Sequence, residues 1–153
     1  MSFKFVPELI VKNISANNST EVIELLGKQL SENGFVDGSY IKSVLEREEE
    51  FPTGLQAKKA AIAIPHALNR NVKKSGICLG ILENKVPFRS MEDINSIVEV
   101  EFVFLLAIKE SNRQLKILKA IMEMLQNEVL FNKIRAEKDK KIICDILNEF
   151  IKE

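Results

Sequence analysis

One histidine is the main candidate for chemistry in this sequence. His66 is the only histidine among 153 residues. It follows the apolar run 61–64 and Pro65, where the chain leaves a predicted strand, and α/β proteins tend to build binding sites at strand ends. An imidazole can form a covalent intermediate, and its near-neutral pKa leaves a nucleophilic nitrogen available at physiological pH. A hydrogen-bonded structural histidine is the alternative, and these residues alone leave it open.

Other catalytic signatures are absent from the sequence. It contains no Gly-rich phosphate loop, no Gly-x-Ser-x-Gly, no His-Glu-x-x-His and no dinucleotide fingerprint. The acidic run 48–50 is expected to be solvated, because adjacent carboxylates at a helix end do not converge on one metal ion. Cys78 and Cys144 lie in separate apolar runs, which predicts two buried free thiols. We therefore expect no metal and no cofactor.

Strands that alternate with helices are predicted to position His66. The strand-like runs are residues 9–14, 61–64, 76–82 and 97–107. Helical patterns cover residues 21–30 and 38–49, and two apolar stripes of helical spacing lie at 115–125 and 142–150. The polar cluster 15–20 can cap the first of these helices, and Gly34 ends it. This order predicts an α/β fold with a central mixed sheet flanked by helices, in a single domain over residues 1–153.

Composition limits the partners of the chain. The 22 basic residues balance the 22 acidic ones, so no general attraction to nucleic acid or to a membrane surface is expected. The basic run 138–141 is short and contains Asp139, and no window reaches the roughly 18 apolar residues of a membrane span. A cytoplasmic protein is the expectation, with no nucleic-acid partner and no membrane insertion.

Two segments together resemble a known family. The stretch 47–55 reads Arg-Glu-Glu-Glu-Phe-Pro-Thr-Gly-Leu, and residues 62–66 read Ile-Ala-Ile-Pro-His. This combination resembles the fructose- and mannitol-type enzyme IIA of the bacterial phosphoenolpyruvate-dependent sugar phosphotransferase system. The segment Phe-Pro-Thr-Gly-Leu at residues 51–55 is most similar to the galactitol-specific branch of this family. The resemblance extends over nearly the whole chain and implies the mannitol/fructose-type IIA fold.

The resemblance implies a phosphoryl relay. His66 would receive a phosphoryl group, usually on Nε2 in this family, from the carrier protein HPr. It would pass the group to a cysteine of an enzyme IIB component, and through IIB to a membrane IIC component. This chain has no IIB-type cysteine of its own, so a separate IIB is implied. The IIA itself does not bind the sugar, which is implied to be a galactitol-like sugar or sugar alcohol.

Phosphoryl transfer requires donors around His66, because catalysis rests on positioning and on stabilising charge at the equatorial oxygens. Arg47 is the first candidate, since a guanidinium forms a fixed fork of donors and matches the family's arginine. A solvated cation at a helix C-terminus is the alternative. Thr53 and Gly54 could supply a hydroxyl and backbone N–H groups to phosphate, although Pro-Thr-Gly is equally natural in a turn without a ligand.

Gln114 departs from the family pattern. Mannitol-type members have a second histidine near this point, whereas an amide can donate to a phosphate oxygen but cannot carry charge or relay a proton. Asn71 likewise stands where many relatives have a histidine, and it is interpreted as a loop residue.

Two other functions remain open. The chain could be a regulatory IIA-like module whose phosphorylation at His66 signals to a partner. It could also be a globular domain with a structural histidine.

Overall fold

The computed structural model describes residues 4–58, 60–68 and 70–151 and shows a five-stranded mixed sheet between two layers of helices. The strands are β1 Ile10–Ile14, β2 Gly54–Gln56, β3 Ala61–Ala63, β4 Gly76–Arg89 and β5 Ile97–Ala107. The helices are α1 Ser19–Glu32, α2 Ser39–Glu50, α3 Ser111–Met124, α4 Glu128–Ala136 and α5 Lys140–Phe150, and a 3-10 turn at Pro7–Leu9 precedes β1. The mixed sheet expected from the sequence is confirmed.

The sheet has two apolar faces because side chains alternate along each strand. Phe102, Phe104 and Leu106 of β5 pack with α3, α4 and α5. Val103 and Leu105 point the other way and pack with α1 and α2. The central strands are thus covered on both sides, which explains why β5 reads as a nearly continuous apolar run.

Sheet topology brings three chain segments to one edge. The strand order is β1-β4-β5-β3-β2. β3 and β5 are parallel, with Ile62 opposite Phe102, so both strands end at the same edge. β4 is antiparallel to β5, with Gly76 opposite Ala107, so β4 begins at that edge. We call this edge the His66 edge, because His66 follows β3 there.

Local signals in the sequence explain the helix ends. The Asn18 side chain accepts a hydrogen bond from the Glu21 N–H at 2.9 Å and caps α1. Gly34, with φ of +80°, follows the last turn of the same helix, a conformation that glycine adopts at little cost. Both features agree with the helix that the sequence predicts.

Three elements differ from the sequence prediction. Three helices rather than two follow β5: α4 begins after Asn127, which accepts a hydrogen bond from the Leu130 N–H at 3.1 Å, and it buries Leu130, Phe131 and Ile134. Residues 54–56 form β2, a strand that the sequence prediction lacks, antiparallel to β3. β4 continues to Arg89 through an irregularity between Ile81 and Val86, which interrupts the apolar alternation.

The two thiols are free and buried, as the sequence predicts. Over residues 4–58, 60–68 and 70–151, no helix combines the length and apolarity that a bilayer crossing demands. The same residues contain no cluster of three potential metal ligands.

Candidate active site

His66 is oriented by the backbone of its own segment. Its half-buried ring places Nδ1 2.8 Å from the carbonyl oxygen of Ile64. A carbonyl oxygen only accepts hydrogen bonds, so in the neutral ring Nδ1 carries the proton and Nε2 holds the lone pair. The lone pair of the neutral ring therefore lies on Nε2.

The surroundings also favour the neutral ring. Burial lowers the pKa of His66 below its usual 6.5, and the positive charge of Arg47 lowers this pKa further, whereas the bond to the Ile64 carbonyl raises it. A neutral imidazole is the nucleophilic form. The site thus keeps Nε2 available at physiological pH.

Three hydrogen bonds fix the backbone on both sides of His66. The Ile64 N–H donates to Thr53 Oγ1 at 3.1 Å, and the Leu106 N–H donates to the Pro65 carbonyl at 3.0 Å. The Ala67 N–H donates to the Tyr40 hydroxyl oxygen at 3.2 Å. Residues before and after the histidine are therefore anchored to β5, to α2 and to the turn that follows α2.

Tyr40 holds the backbone beside His66 and is not among the site residues that the sequence predicts. Its fully buried hydroxyl donates to the Leu106 carbonyl at 2.6 Å while it accepts from Ala67. Burial raises the pKa of Tyr40 to about 12, although the Ala67 bond and the Arg47 charge lower it, so the hydroxyl remains protonated. The available signal was the chain's only tyrosine within an apolar helical stripe, because a buried phenol needs a polar partner.

Arg47 lies within electrostatic range of His66. Arg47 lies in the last turn of α2, and its charge acts on the pKa values of both His66 and Tyr40. Its guanidinium carbon lies 5.0 Å from the centre of the Phe51 ring. Within the described ranges, the guanidinium makes no hydrogen bond or ion pair with another residue. Its donors therefore remain available to a ligand.

Thr53 uses its polar groups inside the protein. Its N–H donates to Glu48 Oε2 at 2.9 Å, and its hydroxyl donates to Glu48 Oε1 at 2.7 Å. Gly54 is needed for packing, because a Cβ there would lie 2.7 Å from the Arg89 carbonyl oxygen. Phosphate contact by Thr53 or Gly54 stays a prediction, and for Thr53 it requires the hydroxyl to change partner.

The expectation of a fully solvated acidic run is wrong for Glu48. This side chain is only 8% exposed. Burial raises the pKa of Glu48 to about 7, although the Thr53 bonds and the charge of Arg89 lower it. Glu49 and Glu50 are exposed as expected.

Gln114 lies on the first turn of α3, the helix that starts at the His66 edge after β5. The residue is half-buried, and its Oε1 is buried without a hydrogen-bond donor from the described residues. Its role toward His66 stays a prediction. Asn71 is an exposed loop residue with φ of +67°, in agreement with its interpretation from the sequence.

Exposed side chains of two kinds surround the His66 edge. The loop that leads from His66 to β4 carries exposed Arg70, Lys73 and Lys74. Leu68 in this loop is 65% exposed, and Leu115 on the first turns of α3 is 70% exposed. Cations favour an anionic group at this edge, and exposed apolar side chains are typical of a surface that contacts another protein.

Comparisons with known proteins agree with this geometry. The family model described as "Phosphoenolpyruvate-dependent sugar phosphotransferase system, EIIA 2" matches residues 4–150. The galactitol-specific EIIA component of Escherichia coli K12 is 35% identical over 113 residues, 74% of this chain and 75% of that protein. The mannitol-specific enzyme IIA component of Geobacillus stearothermophilus is 31% identical over 146 residues, 93% of each chain.

A solved structure shows the same fold. The mannitol enzyme IIA of Escherichia coli, determined in complex with phosphorylated mannitol enzyme IIB, has a TM-score of 0.77 and 23% identity. The match covers 96% of this chain and 99% of that one. Sequence and fold therefore lead to the same group of proteins.

Proposed function

The chain belongs to the EIIA 2 family of the phosphoenolpyruvate-dependent sugar phosphotransferase system, and from this premise we propose that it carries a phosphoryl group on Nε2 of His66. The resemblance of the motif in 47–66 to this family is confirmed by the family model and by the relatives. Members of the family are phosphotransferase components, so the class of the protein is established. We also propose that His66 is the phosphorylated residue, and we propose the protein that donates the phosphoryl group, the protein that accepts it and the sugar.

The observation that carries the proposal is the bond between His66 Nδ1 and the Ile64 carbonyl. It leaves the lone pair on Nε2 before any partner arrives. Nε2 attacks the phosphorus of a phosphohistidine on HPr, an Nε2–P bond forms, and the N–P bond of HPr breaks as its imidazole leaves with the electron pair. A cysteine thiolate of IIB then attacks the same phosphorus, and the electron pair returns to Nε2. His66 keeps its Nδ1 proton throughout.

Arg47 supplies the charge that this chemistry needs. The three equatorial oxygens of the transferring group carry negative charge, and a guanidinium near Nε2 stabilises it. Two facts support this role: Arg47 already acts electrostatically on His66, and its donors make no bond within the described part of the chain. Gln114 and Thr53 are secondary candidates for contacts with the same oxygens.

The proposed partners are HPr as donor and a separate IIB as acceptor. The Escherichia coli relative of known structure was determined with a phosphorylated IIB, which supports the acceptor. Leu68 and Leu115 are exposed beside the His66 edge and provide apolar surface for both partners in turn. The galactitol-specific relative supports a galactitol-like substrate for the membrane IIC that IIB serves.

Reconstitution tests the proposal. The purified chain is incubated with phosphoenolpyruvate, enzyme I and HPr, and its intact mass is measured. We expect one added phosphoryl group that is lost in acid, and no addition to His66→Ala, which leaves the chain without a histidine. Absence of the modification from the wild-type protein, or its presence on His66→Ala, contradicts the assignment. Transfer onward to a purified IIB distinguishes a transport component from a purely regulatory module.

A further inference from the structure

A buried carboxylate lies behind the active site and has both oxygens committed to one residue. Glu48 Oε1 accepts from the Thr53 hydroxyl at 2.7 Å, and Glu48 Oε2 accepts from the Thr53 N–H at 2.9 Å. Glu48 and Thr53 are 8% and 4% exposed. Buried polar groups paired in this way hold a fixed geometry, because breaking either bond leaves a donor unsatisfied.

The bonds of Thr53 continue to His66. While its hydroxyl donates to Glu48, its oxygen accepts from the Ile64 N–H at 3.1 Å. Ile64 in turn uses its carbonyl to hold His66 Nδ1 at 2.8 Å. One residue, Ile64, is therefore fixed at its N–H by Thr53 and fixes the histidine ring through its C=O.

We propose that Glu48 is a positioning residue for His66, and that its ionised carboxylate, acting through Thr53 and Ile64, maintains the tautomer with the lone pair on Nε2. This inference rests on the proposed function only for its catalytic consequence. The tautomer itself is a property of the folded chain and can be measured without any partner.

The ionised form is required because Thr53 presents two donors to Glu48. A carboxylate accepts both, whereas a protonated carboxyl or an amide offers one acceptor and one donor on its two ends. Thr53 must then accept from Glu48 instead of donating, and its own hydroxyl hydrogen is left without a partner in a buried place. The position of Thr53, and with it the anchor of Ile64, is expected to shift.

The surroundings of Glu48 hold its pKa near neutral pH, so that the carboxylate is close to protonation. Arg89 of the neighbouring strand β4 lowers the pKa of Glu48, while burial, the larger effect, raises this pKa to about 7. Glu48 lines a cavity of about 550 Å³ together with Lys42, Glu46 and Glu49 of its own helix, so solvent protons can reach it. Arg89 donates a hydrogen bond to the backbone carbonyl of Glu49, and this bond holds it near the Glu48 carboxylate.

Nuclear magnetic resonance of the imidazole tests the proposal, since the chain has one histidine and its ring signals need no assignment. The ring ¹⁵N shifts are compared at pH 8.5 for wild type, Glu48→Gln and the control Glu46→Gln. Glu46 lies on the same helix and is exposed. We expect the Nδ1–H tautomer in wild type and in Glu46→Gln, and a several-fold larger share of the Nε2–H tautomer in Glu48→Gln. Phosphorylation by HPr is expected to slow about tenfold in Glu48→Gln only.

A second pair of variants tests the proposal if the Glu48→Gln protein does not fold. Thr53→Ser keeps the hydroxyl and should keep the Nδ1–H tautomer of the wild type, whereas Thr53→Val removes the hydroxyl and should shift the tautomer. A folded Glu48→Gln or Thr53→Val protein with the wild-type tautomer overturns the proposal. If the wild-type chain takes up no phosphoryl group, the proposed function fails, yet the tautomer comparison still decides whether Glu48 positions His66.

Discussion

His66 Nδ1 lies 2.8 Å from the carbonyl oxygen of Ile64, two residues earlier in the chain. Pro65 between them has a fixed φ and restricts Ile64 to an extended conformation, so the sequence Ile-Pro-His itself favours this contact. A backbone carbonyl does not titrate. The Ile64 carbonyl itself therefore favours the lone pair on Nε2 without adding a titrating partner.

Replacement of Arg47 is expected to affect both transfer and titration. Arg47→Ala removes the guanidinium that we propose stabilises the equatorial oxygens, and phosphorylation by HPr should slow by about 100-fold or more. The pKa of His66 should rise toward 6.5, because one of the causes that lower it is gone while burial remains. Transfer is measured by single-turnover kinetics, and the pKa by titration of the ring proton signals.

Arg47→Lys is the matched variant for this prediction. It keeps the charge but not the planar fork, so its His66 pKa should stay near the wild-type value while transfer remains slow. Wild-type transfer in Arg47→Ala would show that Arg47 is a solvated cation at the end of α2.

Loss of the Tyr40 hydroxyl is expected to destabilise the fold. Tyr40→Phe leaves the Ala67 N–H and the Leu106 carbonyl without their partner, and we expect a loss of about 2 kcal/mol in the free energy of unfolding. Urea denaturation measures it. Ser43→Ala removes a hydroxyl of the same helix that bonds only the Ser39 carbonyl, and it should change stability by less than about 0.5 kcal/mol. Equal effects of the two variants would show that the bonds of Tyr40 to Ala67 and Leu106 contribute no more stability than an ordinary surface hydroxyl.

Much of this site follows from the sequence, and the rest depends on contacts between distant residues. The Ile-Pro-His motif identifies His66, and the alternation within β5 identifies the central strand. The acidic neighbours of Glu48 suggest a solvated side chain. Only the turn through Pro52 brings Thr53 back to the Glu48 carboxylate. The bond of Tyr40 spans 27 residues to Ala67, a pairing that no local pattern contains. Helix α4 is absent from the sequence prediction, although Leu130, Phe131 and Ile134 have helical spacing.

Protonation of Glu48 should make folding stability depend on pH. Because burial raises the pKa of Glu48 from 4.5 to about 7, the folded state binds this proton more tightly than the unfolded chain. The contribution is fully present below pH 4.5 and is lost as the pH rises through 7. Relative to Glu48→Gln, wild type should be more stable at pH 5 than at pH 8 by about 2 kcal/mol.

The comparison with Glu48→Gln isolates this effect. His66 acts in the opposite direction, because its lowered pKa removes stability as the pH falls below 6.5, so the pKa of His66 is titrated in each protein and its contribution is subtracted. Urea denaturation at the two pH values gives the difference, and Glu46→Gln should follow wild type. A pH-independent difference between wild type and Glu48→Gln would mean that Glu48 titrates like an exposed carboxyl.

Replacement of Gln114, whose Oε1 is buried without a donor from the described residues, should affect stability and transfer differently. In Gln114→Leu the buried acceptor without a donor disappears, so the free energy of unfolding should stay the same or increase by up to about 1 kcal/mol. Transfer from HPr should slow at least about tenfold if the amide donates to the phosphoryl group. Gln126→Leu, on an exposed glutamine beyond the same helix, should change neither the stability nor the rate. Unchanged transfer in Gln114→Leu would exclude Gln114 from the site.

A charge placed on the exposed apolar surface should weaken docking without altering the chemistry. Leu115 is 70% exposed on the first turns of α3, so Leu115→Glu should leave the fold and the His66 pKa intact while KM for phospho-HPr rises about tenfold, or about 1.4 kcal/mol. Val129 is similarly exposed, at 61%, but it lies past the far end of α3, about 20 Å along the helix from the His66 edge. Val129→Glu should therefore behave as wild type. A lower maximal rate at saturating HPr in Leu115→Glu would place Leu115 in the reacting site instead of on the docking surface.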